Sequence, residues 1–413
     1  MSAITVDGAH LAALRGRVDG LRIGIVHYDE HVPLDESYRP GRMGQLAGWL
    51  TEAGAAVTRF APSYSLGADR QRPLAWTGAE TVEGSLQVIP TRTFESSRGR
   101  ARFDSLRDFA SGTAAALLAS DPFDVLVAGY PPPGVVTAAR RATGDQVPIL
   151  ADIRDLWPDA LFHRPSPTVA RAASAAGRFM TQELRQATGV VAMSQTMLAR
   201  APLSSRRCAI PLSIPESSDS DAPAVDSDDG LRAVFVGVLS EASDLDSVIR
   251  GWDRYSSQRS SCSPPPRLEI YGTGRTEAEL RSMASSIDTI EMGGWLPSVD
   301  VPAVLSAADV GVAPTQPGFG TTLSNKVLEY LGAGAFIVNS LESESASALA
   351  EQRFGMHVRA TADGWASGFL DVEHDLARIR AERPARKAAA VASYGRANIE
   401  LQWLEQITGA AGR

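Results

Sequence analysis

Cysteine is almost missing from this chain: Cys208 and Cys262 are the only two among 413 residues. They make no CxxC pair and are too few for a disulfide framework, which excludes a stapled secreted scaffold and suits a reducing compartment. No 18 apolar residues run together, so no membrane span is expected. The first 20 residues hold neither a basic n-region nor an apolar h-region, so no export signal is expected and the cytoplasm is the expected location. Positive charge is in deficit as well. The 40 Lys and Arg against 48 Asp and Glu leave a net charge of -8, which gives no long-range field for holding nucleic acid.

What remains is a globular composition, 44% hydrophobic and 21% charged, on a chain long enough for two cores. LRIGIVHY (21–28) reads as a buried strand, and GRMGQLAGWLTEAG (41–54) after it repeats apolar residues at helical spacing before a glycine stop. The alternation continues through AAVTRFAP, DVLVAGY, VPILADI and GVVAMS, separated by Ala-rich helical stretches. Continuous apolar strands interleaved with helices imply a parallel sheet covered on both faces. Residues 216–230 are acidic, Ser-rich and poor in large apolar side chains, the composition of a linker. Beyond them the pattern restarts with LRAVFVGVL, PRLEIYGTG, TIEMGGWL, SAADVGVAP and AGAFIVNS. The expected organisation is therefore an α/β domain over 1–215, a linker over 216–230, a second α/β domain over 231–395 and a C-terminal helix over 396–413 that packs back on the first domain. Ligands of open α/β sheets bind beyond the carboxyl ends of the strands, which places the expected site in a cleft between two such domains.

The segment GFGTTLSNKVLEYLGAG (318–334) carries the clearest chemistry. A Gly-containing loop leads into a helix beginning near Ser324, so the backbone around Gly320, Thr321, Thr322, Leu323 and Asn325 offers N–H groups and a positive helix end to a diphosphate, with no metal required. Lys326 and Glu329, three apart, share roughly one helix face. A carboxylate there suits the two hydroxyls of a ribose. The alternative is a surface ion pair beside an ordinary loop. Gly272 and Gly274 in EIYGTG follow a strand and offer further backbone amides to the nucleotide, although tight β-to-α turns contain glycine for other reasons. At the carboxyl end of VPILADI, the block DIRDLWP brings Asp152, Arg154, Asp155 and Trp157 to the expected cleft, as acceptor-orienting groups or as a structural Asp-Arg network with the Trp in the core. His27, ending the first strand, is a candidate acceptor-site base or a satisfied buried histidine, and His163 a weaker candidate of the same kind. Arg42, expected in the loop after the first strand, and the better placed Arg154 are candidates to reach across to a phosphate, Arg42 being otherwise a solvated surface residue. Asp244 and Asp246 superficially match a metal-binding DxD, but opening a predicted helix they are better explained as N-terminal capping. The arginine-dotted stretch 91–107 is a candidate contact for an anionic lipid or phosphate-bearing acceptor, but in an acidic chain it reads rather as a solvated loop and helix face. No metal is expected.

SNKVLEYLGAGAFIV resembles the P-S-K-x-x-E-Y-x-A-x-G-x-P-V signature of retaining GT-B glycosyltransferases of family four, and ADIRDLWPDAL resembles a block of the branch that includes bacterial N-acetylfucosamine transferases. HYDE, DVLVAGYPPP, GVVAMSQTM, LEIYGTG and SAADVGVAP fall in the same order, so the resemblance spans roughly residues 20–405. It implies a GT-B fold, two doubly wound Rossmann-like domains facing across a cleft, and sugar transfer from a nucleoside diphosphate sugar to a small-molecule or glycan acceptor with retention. That donor is a co-substrate; no other cofactor is implied. Glu329 matches the second Glu of the family's Glu-x7-Glu pair, which binds the donor ribose. At the first, this chain has Thr321. The Arg and Lys that the family places after the first strand of the second domain are absent; Val238 and the pair Ser243/Asp244 stand there instead. Two rival readings follow: a sugar-nucleotide epimerase of the same fold, and a non-catalytic nucleotide-sugar-binding partner.

Overall fold

A computed structural model describes residues 6–36, 38–65, 70–94, 100–155, 171, 177, 181–201, 206–215, 230–259, 264–317 and 323–412. The proposed linker, Gly230 excepted, lies outside the described residues, as do Trp157, His163, Gly320, Thr321 and Thr322. Two compact units result: Val6–Pro211 together with the chain from Ile399 onward, and Leu212–Asn398.

The first unit holds the strands β1 (Arg22–Val26), β2 (Ala56–Pro62), β3 (Tyr64–Ser65), β4 (Arg70–Gln71), β5 (Ala79–Thr81), β6 (Gly84–Ile89), β7 (Val125–Tyr130), β8 (Ile149–Ile153), β9 (Gly189–Ala192) and β10 (Arg206–Ala209). Its described helices are α1 (Gly8–Val18), α2 (Arg42–Glu52), α3 (Arg100–Ala119), α4 (Val135–Thr143) and α5 (Gln195–Arg200). Eight strands make one sheet in the order β10-β9-β8-β7-β1-β2-β6-β5, parallel except where β5 turns back on β6, while β3 and β4 form a small ribbon. Side chains alternate between two buried faces, as a covered parallel sheet requires. Ile149, Ala151 and Ile153 of β8 enter one core with Phe109 and Val136, and Leu150 enters the other with Leu46 and Trp49 of α2. The last helix of the chain, residues 396–411, sends Ile399, Trp403 and Ile407 into that second core, and Glu400 accepts two bonds from Arg15 of α1 at 2.7 and 2.6 Å.

In the second unit, β11 (Arg232–Val236), β12 (Arg267–Tyr271), β13 (Ile290–Gly294), β14 (Val310–Ala313), β15 (Phe336–Asn339) and β16 (Gly355–His357) form a parallel sheet ordered β13-β12-β11-β14-β15-β16. Its helices are α6 (Leu245–Gln258), α7 (Glu277–Ala284), α8 (Val301–Ser306), α9 (Asn325–Gly332), α10 (Glu344–Glu351), α11 (Ala362–His374), α12 (Leu376–Ala381) and α13 (Arg383–Tyr394); the helix at 396–411 is α14. On one face α6 and α11 interlock through Trp252, Tyr255, Trp365 and Phe369, with the Trp252 and Phe369 rings edge to face at 4.8 Å. Gly251 permits that approach, because a Cβ there would lie 2.4 Å from Trp365 Cβ. On the other face α9 and α13 pack Leu328, Leu331, Ala390 and Tyr394.

Each sheet reverses its winding once. In the first unit the chain builds β1, β2 and β6 outward, then returns to place β7 on the other side of β1; in the second it builds β11, β12 and β13, then sets β14 on the other side of β11. The crevices at these two reversals are where an open α/β sheet receives ligands.

Candidate functional site

At the reversal in the second unit, Tyr330 of α9 ties the two strands together. Its buried hydroxyl accepts from the Val236 amide at 3.1 Å and donates to the Val312 carbonyl at 3.3 Å. Gly311 makes room for the ring, since a Cβ would approach it to 2.3 Å. This fixes where α9 begins: Ser324 is its extended N-cap, and Asn325, exposed, opens the first turn. Lys326 then leans back over the reversal. Its Nζ sits 4.3 Å from the centre of the Phe235 ring and 3.4 Å from Ser243 Oγ. Burial drives the Lys326 pKa down to about 8, with Glu329 acting in the opposite direction. Glu329 is buried one turn on. A helix N-terminus with a half-buried, weakly partnered cation beside it is a site shaped for a phosphate.

One expectation is corrected here. The amide of Gly272 is not presented to a ligand, because it donates to the Gly294 carbonyl at 2.6 Å. Gly272 and Gly274 are glycines for packing reasons: both have positive φ, and a Cβ would lie 1.8 Å from the Gly237 carbonyl oxygen in one case and 2.1 Å from that of Leu239 in the other. Leu323, whose backbone is expected to face the phosphates, sets its side chain in the core against α9. Asp244 stands at the N-cap position of α6 but its carboxylate caps no helix amide, accepting instead from the Ser247 hydroxyl at 2.7 Å, and Asp246 pairs with Arg250 at 3.0 Å. Among the described residues no group of His, Cys, Asp or Glu is arranged to hold a metal ion.

The reversal in the first unit holds a buried charge network. Glu30, just past β1, accepts from the first-turn amides of α2, Met43 at 3.0 Å and Gly44 at 3.0 Å, while Arg154 donates to it at 2.9 Å and Arg59 stands 3.8 Å away. Burial works against its ionisation, but His27, then the Arg154 and Arg59 guanidinia and the Met43 amide, outweigh that and bring its pKa down to about 2. Gly41 is the space the carboxylate occupies, since a Cβ there would lie 2.5 Å from Glu30 Cδ. His27 is buried beside it, accepting the Glu30 amide at Nδ1 (3.1 Å) with Arg154 against Nε2. Burial and that guanidinium push its pKa down to about 3, so His27 is neutral at physiological pH and too weak for the general base it was a candidate for. From below, Arg72 clamps the loop, donating to the Glu30 carbonyl at 3.0 Å and to Asp35 at 2.7 Å. Gly129 of β7 gives His27 its room, because a Cβ would meet the imidazole at 2.9 Å. Gly129→Ala should therefore displace the ring and cost about 1–3 kcal/mol, seen as a lowered midpoint in thermal unfolding.

Asp152 and Arg42 are withdrawn from the candidate site. Strand alternation turns Asp152 toward α2 rather than toward Arg154, and Arg42 is the first residue of that helix rather than part of a loop. Its Nε and Nη2 each donate to the fully buried Asp152 at 3.0 Å, its Nη1 donates to the Pro211 carbonyl at 2.8 Å, and the guanidinium lies 4.9 Å from the centre of the Trp403 ring. Neither can reach a ligand. Among the described residues past this sheet's carboxyl edge, Asp29 and Asp155 are exposed, and Arg154, held by Glu30, is partly exposed. Asp29 and Asp155 are open to solvent but set among neighbours that strip part of their hydration, which raises both pKa values; Asp155 adds to the shift of Asp29, and Arg154 and Arg102 oppose it. Asp29, Glu30 and Arg59 were not singled out from the sequence, although a DE pair directly after the first strand is where the carboxyl-edge rule points.

A separate groove of about 710 Å³ lies among α3, α4 and the 3-10 turn Thr181–Gln186, with Arg107 and Arg141 on its rim. Its one carboxylate, Glu183, is spent capping α4 through the Gly134 and Thr137 amides at 2.7 and 3.2 Å.

Comparison with known proteins defines the class. Residues 42–206 match the model of the glycosyl transferase 4-like domain, and residues 230–375 match that of the glycosyl transferases group 1. The chain belongs to the group 1 glycosyltransferases of GT-B fold. No curated protein sequence gives a significant match. Among solved structures, the sucrose-phosphate synthase of Thermosynechococcus elongatus superposes with a TM-score of 0.70 at 15% identity, covering 93% of this chain and 97% of that one. Anabaena Alr3699/HepE, solved in complex with UDP and glucose, gives 0.65 at 14% identity over 94% and 100%. The N-terminal domain of the Candida albicans trehalose-6-phosphate phosphatase gives 0.69 at 12% over 94% and 97%. At these identities the likeness is one of fold. No described helix is long and apolar enough to cross a membrane.

Proposed function

We propose that the protein transfers a hexosyl group, with retention, from a UDP-, GDP- or dTDP-sugar to a small-molecule or glycan acceptor. The observation that carries this reading is Lys326, a half-buried cation with one long hydrogen bond, held over the reversal of the second sheet beside the start of α9. The diphosphate lies there, its charge met by the ammonium and the helix end without a metal ion, and Glu329 takes the ribose hydroxyls. As the sugar leaves, negative charge grows on the diphosphate, and a preorganised cation and helix dipole stabilise it without reorganising. Arg154, with Asp29 and Asp155, forms the acceptor side. The branch resembling bacterial N-acetylfucosamine transferases and a cytoplasmic setting complete the proposal.

A thermal-shift screen against UDP, GDP and dTDP tests it. One of the three should raise the melting temperature, since a ligand present at a hundred times its Kd adds about 2.7 kcal/mol to the folded state. The matching sugar nucleotide should then be consumed only when an acceptor is supplied. Consumption without acceptor would make the protein an epimerase. Val238, exposed where the family carries a cation, favours a second reading as a non-catalytic nucleotide-sugar-binding protein; tight nucleotide binding with no turnover across an acceptor panel would establish it.

A further inference from the structure

The groove on the helical layer of the first unit carries charge that nothing among the described residues answers. Phe109 of α3, Val136 of α4 and Leu184 of the turn at 181–186 all point into one core, so the trough of about 710 Å³ between these elements opens on the outer side of the layer. That volume is in the range of sites for small organic ligands. Arg107 and Arg141 stand exposed on its rim, and among the described residues neither has a hydrogen-bond or ion-pair partner.

The nearby acids are already engaged. Asp108, next to Arg107 in α3, accepts from Arg92 at 2.9 Å, and Asp104 lies 3.4 Å from the same arginine. Asp145, beyond Arg141, lies 3.7 Å from Arg140. Glu183, the carboxylate in the trough itself, accepts the Gly134 and Thr137 amides at 2.7 and 3.2 Å. Both rim guanidinia are left to meet an anion from solution.

Below the rim the trough is largely apolar. Buried Ala110 and Ala138 and half-buried Ala114 form its floor, and longer side chains there would fill the space. The Thr137 hydroxyl donates to Glu183 at 3.3 Å and accepts from the Gln186 side chain at 3.1 Å, while the Ser111 hydroxyl turns back to the Arg107 carbonyl at 2.8 Å. With their partners found locally, these groups ask nothing of a ligand. The exposed Gln182 side chain keeps free donors.

Forked guanidinium donors suit phosphate oxygens, which they meet two at a time, and an apolar floor takes hydrocarbon out of water. We propose that the groove binds a soluble phosphate monoester with an apolar body, its phosphate held by Arg107 and Arg141 and its body laid on Ala110, Ala114 and Ala138. The site does not depend on the nucleotide reading of the second unit. Each exposed guanidinium contributes about tenfold in affinity, the lower end for a charge-assisted hydrogen bond.

The test titrates the full chain with naphthyl phosphate and with inorganic phosphate by calorimetry, in wild type, Arg107→Ala, Arg141→Ala, Ala114→Leu and Lys326→Met. Wild type should bind the ester saturably and at least about tenfold more tightly than inorganic phosphate. Each arginine variant should weaken the ester by about tenfold and melt within about 2 °C of wild type. Ala114→Leu should weaken the ester and leave inorganic phosphate within about twofold, and Lys326→Met should bind the ester within about twofold of wild type. No saturable binding, an affinity that neither arginine variant moves, or loss of the ester in Lys326→Met overturns the site. So does a wild type that ignores the ester yet sediments with phosphatidylglycerol vesicles through the same two arginines, which would give this face to a membrane.

Discussion

Glu30→Ala is expected to lower the unfolding free energy by about 3–5 kcal/mol, measured as a shift of the urea midpoint at constant slope. The substitution removes the acceptor for the Met43 and Gly44 amides, which no other described side chain caps, and leaves Arg154 without its carboxylate partner, while Arg59 keeps Glu83. A buried pair broken on one side costs far more than the intact pair contributes. The acid limb of wild-type stability carries the same signature. The folded pKa of Glu30 is near 2, against 4.5 for the free carboxyl, so its contribution is complete above about pH 4.5 and is lost as pH falls toward 2. Glu30→Gln, which cannot ionise, should be less stable at neutral pH and should show a flatter profile across that window.

Lys326→Met is expected to weaken nucleoside diphosphate binding by roughly thirtyfold, the scale of one lost charge-assisted hydrogen bond, about 2 kcal/mol. Two pH effects of opposite sign identify the lysine. Its pKa in the free protein is about 8 against an ordinary 10.5. Between those values the unfolded chain binds the extra proton, so the stability of the unliganded protein should rise as pH climbs from 8 to 10.5. A bound diphosphate favours the charged ammonium, so affinity should fall as pH rises through 8, with proton uptake on binding visible by calorimetry in buffers of different ionisation enthalpy. Both effects should vanish in Lys326→Met. Its melting temperature without ligand should not fall, because methionine fills the space above Phe235 without a cation to desolvate.

The fold was legible because its signal is repeated. Continuous apolar strands such as DVLVAGY and RAVFVG, alternating with helical spacing, leave few architectures other than a covered parallel sheet. Short strands without that signature escaped: GSLQVI alternates because it pairs with an antiparallel edge, and RRCA and GMH are too brief to show a period. At the site, α9 with Lys326 and Glu329 could be read because one local segment carries both the anion-binding geometry and the charge. Pairing across the chain could not. Whether Asp152 meets Arg154 or Arg42, 110 residues away, depends on which face of β8 it occupies and on what lies behind that face. Glycine was ambiguous for a similar reason. A glycine in a β-to-α turn makes room either for a ligand or for another turn, and only the carbonyl of Gly237 pressed against Gly272 identifies the second.

The most direct measurement of the central claim is a crystal structure with the nucleoside diphosphate that gives the largest thermal shift. The account predicts phosphate density at the start of α9 within hydrogen-bonding reach of Lys326 Nζ, with the ribose hydroxyls on Glu329. Phosphates bound elsewhere, with the Lys326 ammonium still resting on Phe235 and Ser243, would contradict it.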